Sequence, residues 1–119
     1  MNRLNEIEAR TNAATEGPWW ADWRFTDWEV CCTVGDHGPP ALIASDADGE
    51  DADFIAHART DVPDMAAALR AVLKLHKEDG HGWGPGESFC TECQQGYGLL
   101  VPYPCPTVTA IRQHLGDEQ

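Results

Sequence analysis

Leu4, Ile7 and Ala14, with the small Thr11 between them, fall on one stripe of a 3.6-residue repeat, while Glu6, Glu8 and Arg10 fall elsewhere. This pattern predicts an amphipathic helix over residues 2–15, stopped by Gly17-Pro18. From Trp19 to Val34 the period changes: aromatic and β-branched residues partly alternate with polar ones, as strands require. Gly35-Asp36-His37-Gly38-Pro39-Pro40 reads as a turn, and Ala41 to Ala44 as a short strand that pairs back into a small antiparallel sheet.

An acidic loop from Ser45 to Asp53 leads into a helix over residues 52–59, with Asp51 as its N-cap. Asp61 is positioned to cap a second helix, with Asp64 three residues on and Pro63 in the first turn, where its missing N–H is harmless. Met65, Leu69, Val72, Leu73 and His76 follow at helical spacing, which places His76 at the end of a buried stripe. The chain closes on a short helix over roughly 106–115, started by Pro106 and striped by Val108, Ile111 and Leu115. The expectation is an α+β fold: an N-terminal helix, a small antiparallel sheet, two helices, then a zinc-bound loop and a short helix. At 119 residues the chain is expected to be a single domain, with a core over 2–79 and a zinc-stapled tail over 80–119.

Charge narrows the range of partners. Twenty acidic against eight basic residues give a formal charge of −12, so direct nucleic-acid binding by the whole surface is not expected. Solubility is the plainer explanation of this acidity, and imitation of a polyanion the sharper one. No apolar run approaches the ~18 residues of a membrane span, and the opening MNRLNEIEAR is charged rather than a secretory leader. Five cysteines, with Cys31 and Cys32 adjacent, do not form an evenly paired disulfide framework. A reduced, cytoplasmic setting is expected, in which a Cys-x-x-Cys points to metal or redox chemistry.

That motif occurs at Cys90 and Cys93, with Cys105 beyond it at the start of the last helix. His76 or His81 can complete a four-ligand set, and His76 is preferred because a helix fixes its direction. Three thiolates and one imidazole make a closed, structural zinc site with no position for a reacting water. The competing reading is of ordinary thiols and solvated histidines; the third cysteine beside a helix start weighs against it. A redox dithiol fits less well, because the motif runs into Gln94-Gln95-Gly96-Tyr97-Gly98, a loop or turn, rather than opening a helix. Cys31 and Cys32 face opposite ways on a strand, so at most one can join a common site; one is expected in the core and the other to be incidental.

Asp46, Asp48, Glu50, Asp51 and Asp53 bring acids and a turn glycine together but miss the spacing of a calcium loop. With His37 they make a remote candidate for a magnesium-dependent hydrolytic site. Trp19, Trp20, Trp23 and Trp28, with Phe25, form an aromatic cluster too dense for one face of a small sheet, so part covers the core and part is available to dock a partner. No Ser-His-Asp set, phosphate loop or dinucleotide fingerprint is present, and no enzymatic activity is expected.

Three blocks carry a resemblance: Leu4 to Arg10 continuing through Ala13 to Trp19, Asp51 to Pro63, and Tyr103 to Val108. Together they resemble small uncharacterised proteins of actinobacteria and their phages, and the first two blocks are also similar to the Ead-like early proteins of tailed phages. The resemblance implies a phage or prophage accessory protein, and the leading expectation is a non-enzymatic one that binds a host or phage protein. The alternative is an acidic regulator of nucleic-acid transactions, acting by DNA mimicry or through a local basic patch of Arg59, Arg70, Lys74 and Lys77. A metal-dependent hydrolase is the remote third.

Overall fold

The computed structural model describes residues 2–33, 40–79, 88–95 and 99–116. Helix α1 (Asn2–Ala13) is followed by strands β1 (Trp19–Arg24), β2 (Asp27–Thr33) and β3 (Pro40–Ala47), then the 27-residue helix α2 (Gly49–Leu75). Strands β4 (Glu78–Asp79), β5 (Phe89–Gln95) and β6 (Leu99–Pro102) come next, and helix α3 (Pro106–Leu115) last. The strands form two antiparallel three-stranded sheets, β1-β2-β3 and β4-β5-β6. The architecture is α+β, with an N-terminal helix, a small antiparallel sheet, a long helix and a short C-terminal helix. Among the described residues no helix is long and apolar enough to cross a membrane.

The chain divides into two compact units, Ile7–Ala66 and Met1–Glu6 with Ala67–Gln119. In the first, Val30 on the central strand packs with Ala52 and Ala56, and Trp19, Ala21, Trp28, Ile43, Ala44, Ala47 and Ile55 close around them. Ala52 and Ala56 are one helical turn apart, and their small side chains let the helix lie close on the sheet. Gly49 opens that helix because space is short there: a Cβ would stand 2.9 Å from Trp28 Nε1. Three consecutive residues of β2, Val30, Cys31 and Cys32, are buried, so the central strand is enclosed on both faces. Both cysteines are therefore core residues, which corrects the expectation that one would be incidental.

The hairpin between β1 and β2 turns on two residues, Phe25 and Thr26, beyond the pair Arg24↔Asp27. Such turns demand a positive φ, and Phe25 supplies it at 58° without being glycine.

In the second unit Leu4 is fully buried, and Arg70 Nη2 donates to Asn5 Oδ1 at 2.6 Å. Cys90, Cys105 and Val108 are its buried cluster, packed by Leu73, Cys93, Val101 and Tyr103.

Four expectations change. The two helices proposed on either side of Asp61 are one helix, with Pro63 inside it. Proline removes one hydrogen bond to the carbonyl of Arg59, but strong helix formers on both sides outweigh that local loss. The helix also begins at Gly49, ahead of the proposed Asp51 cap, and Ala52 N–H bonds the Asp48 carbonyl at 2.8 Å. Met65, placed on the buried stripe, is exposed, and neighbouring Ala66 is buried instead. Finally, β5 and β6 occupy much of the segment expected to be a zinc-bound loop.

Candidate metal centre

His76 comes directly after α2, and its N–H still bonds the Val72 carbonyl at 3.1 Å, so the helix sets its position. Cys90 and Cys93 are three apart on β5, and in a regular strand that odd spacing would send their side chains to opposite faces. The strand is not regular there: its pairing with β6 shifts register between Phe89 and Gln94. This irregularity lets both sulfurs turn to the same side. Cys105 is the N-cap of α3, extended at φ −73° and ψ 168°.

The four side chains converge. His76 Nδ1 lies 3.3 Å from Cys90 Sγ, 3.4 Å from Cys93 Sγ and 3.5 Å from Cys105 Sγ. All four candidate ligand atoms lie within 4.8 Å of one another. A tetrahedral ion with bonds of about 2.3 Å to sulfur and about 2.0 Å to nitrogen sets N···S edges of about 3.5 Å. The three N···S distances match the edges such an ion would set. Cys90 and Cys105 are buried, while His76 and Cys93 are half-buried.

The thiols perturb one another's protons. Burial, followed by the neighbouring thiols of Cys105 and Cys90, pushes Cys93 up to about 11. Cys105 shifts the other way: burial opposes its thiolate, but the amides of Val108 and Thr107 at the start of α3 and the thiols of Cys90 and Cys93 outweigh it. No side-chain capping hydrogen bond forms at that position, so the effect of those amides is that of the helix's positive end on a nearby sulfur. A cation placed among the sulfurs would displace the remaining protons.

Tyr103 and Arg112 adjoin this centre, with Arg112 Nη2 donating to Tyr103 Oη at 3.3 Å and the guanidinium 5.6 Å from the ring centroid. Leu73 shares the helical stripe that ends at His76, and the apolar run ending at Tyr103 is the sequence signal for Val101 and Tyr103.

The other candidates separate. His81, the alternative ligand, lies outside the described residues, as does His37. The acids Asp46, Asp48, Glu50, Asp51 and Asp53 do not form a ligand group among the described residues, where the His76 cluster is the group found. The Asp46 carboxyl is instead raised above its usual range by a hydrogen bond with Asp27 and by that group's charge, with desolvation and Glu29 adding to the effect. Of the tryptophans, Trp19 and Trp28 pack on the Val30 core and Trp20 is half-buried. Trp19 also donates through Nε1 to the Thr15 carbonyl at 3.2 Å and lies 5.9 Å beneath the Arg59 guanidinium. Trp23 is 56% exposed and meets Trp28 edge-on at 5.7 Å, while Phe25 beside it is 88% exposed.

Comparison of the chain with protein-family models, with curated proteins and with solved structures finds no match.

Proposed function

We propose that this is a non-catalytic binding protein whose C-terminal part is organised by a structural zinc ion. His76 Nδ1 and the sulfurs of Cys90, Cys93 and Cys105 would hold the ion. The observation that carries the reading is the near-equal spacing of one ring nitrogen from three sulfurs, 3.3, 3.4 and 3.5 Å. Soft thiolates with one imidazole suit zinc, and four protein ligands leave no open coordination position for a substrate or an activated water. All five cysteines are free thiols, consistent with a reducing cytoplasm. Cobalt substitution tests the ligand set: a tetrahedral three-sulfur, one-nitrogen site gives visible ligand-field bands and a thiolate charge-transfer band. Octahedral cobalt without thiolate charge transfer would contradict it.

The binding surface in this proposal is the aromatic hairpin, with Trp23 as its exposed tryptophan and Trp19, Trp20 and Trp28 supporting it from the sheet. The resemblance to proteins of actinobacteria and their phages makes the partner a host or phage protein, and the role that of a phage or prophage accessory factor. A second reading, an acidic regulator that imitates DNA, draws on the crowded carboxylates of Asp27, Glu29 and Asp46. Salt distinguishes the two, because a polyanion mimic loses its partner steeply with ionic strength and a tryptophan-centred contact does not.

A further inference from the structure

We infer that Thr91 is a positioning residue of the metal centre, the side chain that holds His76 in place against the three sulfurs. This rests on the metal reading above and deepens it. Helix α2 ends at Leu75, and the last carbonyls of a helix have no partner within it. Thr91 Oγ1 donates to the Leu75 carbonyl at 2.8 Å and accepts from the Lys77 N–H at 3.3 Å. The Thr91 N–H in turn donates to the Lys77 carbonyl at 2.9 Å. Three hydrogen bonds thus fasten the residues on either side of His76 to one residue of β5, which stands between Cys90 and Cys93.

The side chain at this position must donate and accept at once, and a hydroxyl does both. Valine has the same shape and does neither. The β4–β5 ladder is short, with the pairs Glu78↔Cys90 and Asp79↔Phe89, and its backbone bonds leave the Leu75 carbonyl and the Lys77 N–H to the Thr91 hydroxyl. Thr91 itself is exposed, so burial does not explain its contacts. The arrangement resembles the outer hydrogen bonds that orient ligands in metal sites, whose loss reduces affinity by about 10–100-fold. Here they act on the backbone that carries the ligand rather than on its ring.

The test compares wild type, Thr91→Val and Thr91→Ser, with zinc affinity read by chelator competition and the ligand set by cobalt absorption. Thr91→Val is expected to lose about 10–100-fold in zinc affinity and to shift the cobalt ligand-field bands as His76 is released. Thr91→Ser, which keeps the hydroxyl, is expected to restore both. Metal-free melting of Thr91→Val alongside wild type separates this from a general loss of fold, since equal melting with weaker metal binding supports positioning. Equal zinc affinity in wild type and Thr91→Val, or equal losses in the valine and serine variants, would overturn the role of Thr91 while leaving the metal centre standing. A wild-type protein that takes up no ion would overturn both.

Discussion

At His76 one ring nitrogen faces three sulfurs at hydrogen-bonding distance, and Nδ1 rather than Nε2 is the atom that does so. The proposed ligand role therefore falls to a residue at the end of α2. His76→Ala is expected to weaken zinc binding far more than His81→Ala, and chelator competition on both variants gives the order; the reverse order would move the ligand to the glycine-rich segment. At Phe25 the side chain and the backbone disagree. A bulky side chain at φ 58° carries a left-handed penalty that glycine avoids, of about 1–2 kcal/mol, offset in part by glycine's greater unfolded entropy. Phe25→Gly is thus expected to stabilise the first unit by roughly 1 kcal/mol or less while removing an 88% exposed ring from the proposed docking surface. Denaturant unfolding reads the stability, and a lower midpoint in the variant would contradict the strain argument.

Among the elements, α2 offers a pH-dependent contact away from the metal. His57 Nδ1 lies 2.9 Å from the Asp53 carbonyl and 3.3 Å from its carboxylate one turn earlier. These contacts, with Asp61 adding a smaller attraction, raise the imidazole above its usual 6.5. A raised value means that the folded state holds the proton more tightly. The contribution to stability is fully present below 6.5 and is lost as the pH climbs through the higher folded value. Thermal melts of wild type and His57→Gln across this window should converge as the pH rises; a gap that widens instead would reverse the sign.

The elements also show what could be read from the chain alone. The alternating aromatic run marked β1 and β2, and the apolar stripe with its leading proline marked α3. Cys90, Cys93, Cys105 and His76 were identifiable because metal-ligand chemistry leaves few residue types to choose from. Within α2, Asp61 and Pro63 imitate a start signal, and local capping chemistry cannot register helix-forming sequence on both sides. The second sheet was illegible for another reason. Glu78 and Asp79 of β4 and the polar residues of β5 have little strand propensity, and here tertiary context overrides it. The register shift that turns Cys90 and Cys93 to one side depends on β6, a partner no local pattern announces.

For the whole molecule, the two units draw their stability from different sources. Ile7–Ala66 buries Val30, Cys31, Cys32, Ala52 and Ala56 around an aromatic sheet. The cluster of the second unit is small, with Cys90, Cys105 and Val108 at its centre, and two of those three are proposed ligands. Metal binding, which can supply on the order of 10 kcal/mol, would be a large part of what orders that unit. Cys90→Ser is accordingly expected to lower thermal stability and to expose the amides of β5 and β6 to hydrogen exchange, while most of the helical circular dichroism persists. Unchanged protection of β5 and β6 in this variant would show that the cluster holds without its ion.

The central claim is that the four converging side chains hold one zinc ion. Elemental analysis of protein purified reduced and without chelator tests it most directly. The account predicts about one zinc per chain, lost in parallel with free-thiol recovery on acidification; protein that carries no stoichiometric metal under those conditions would contradict it.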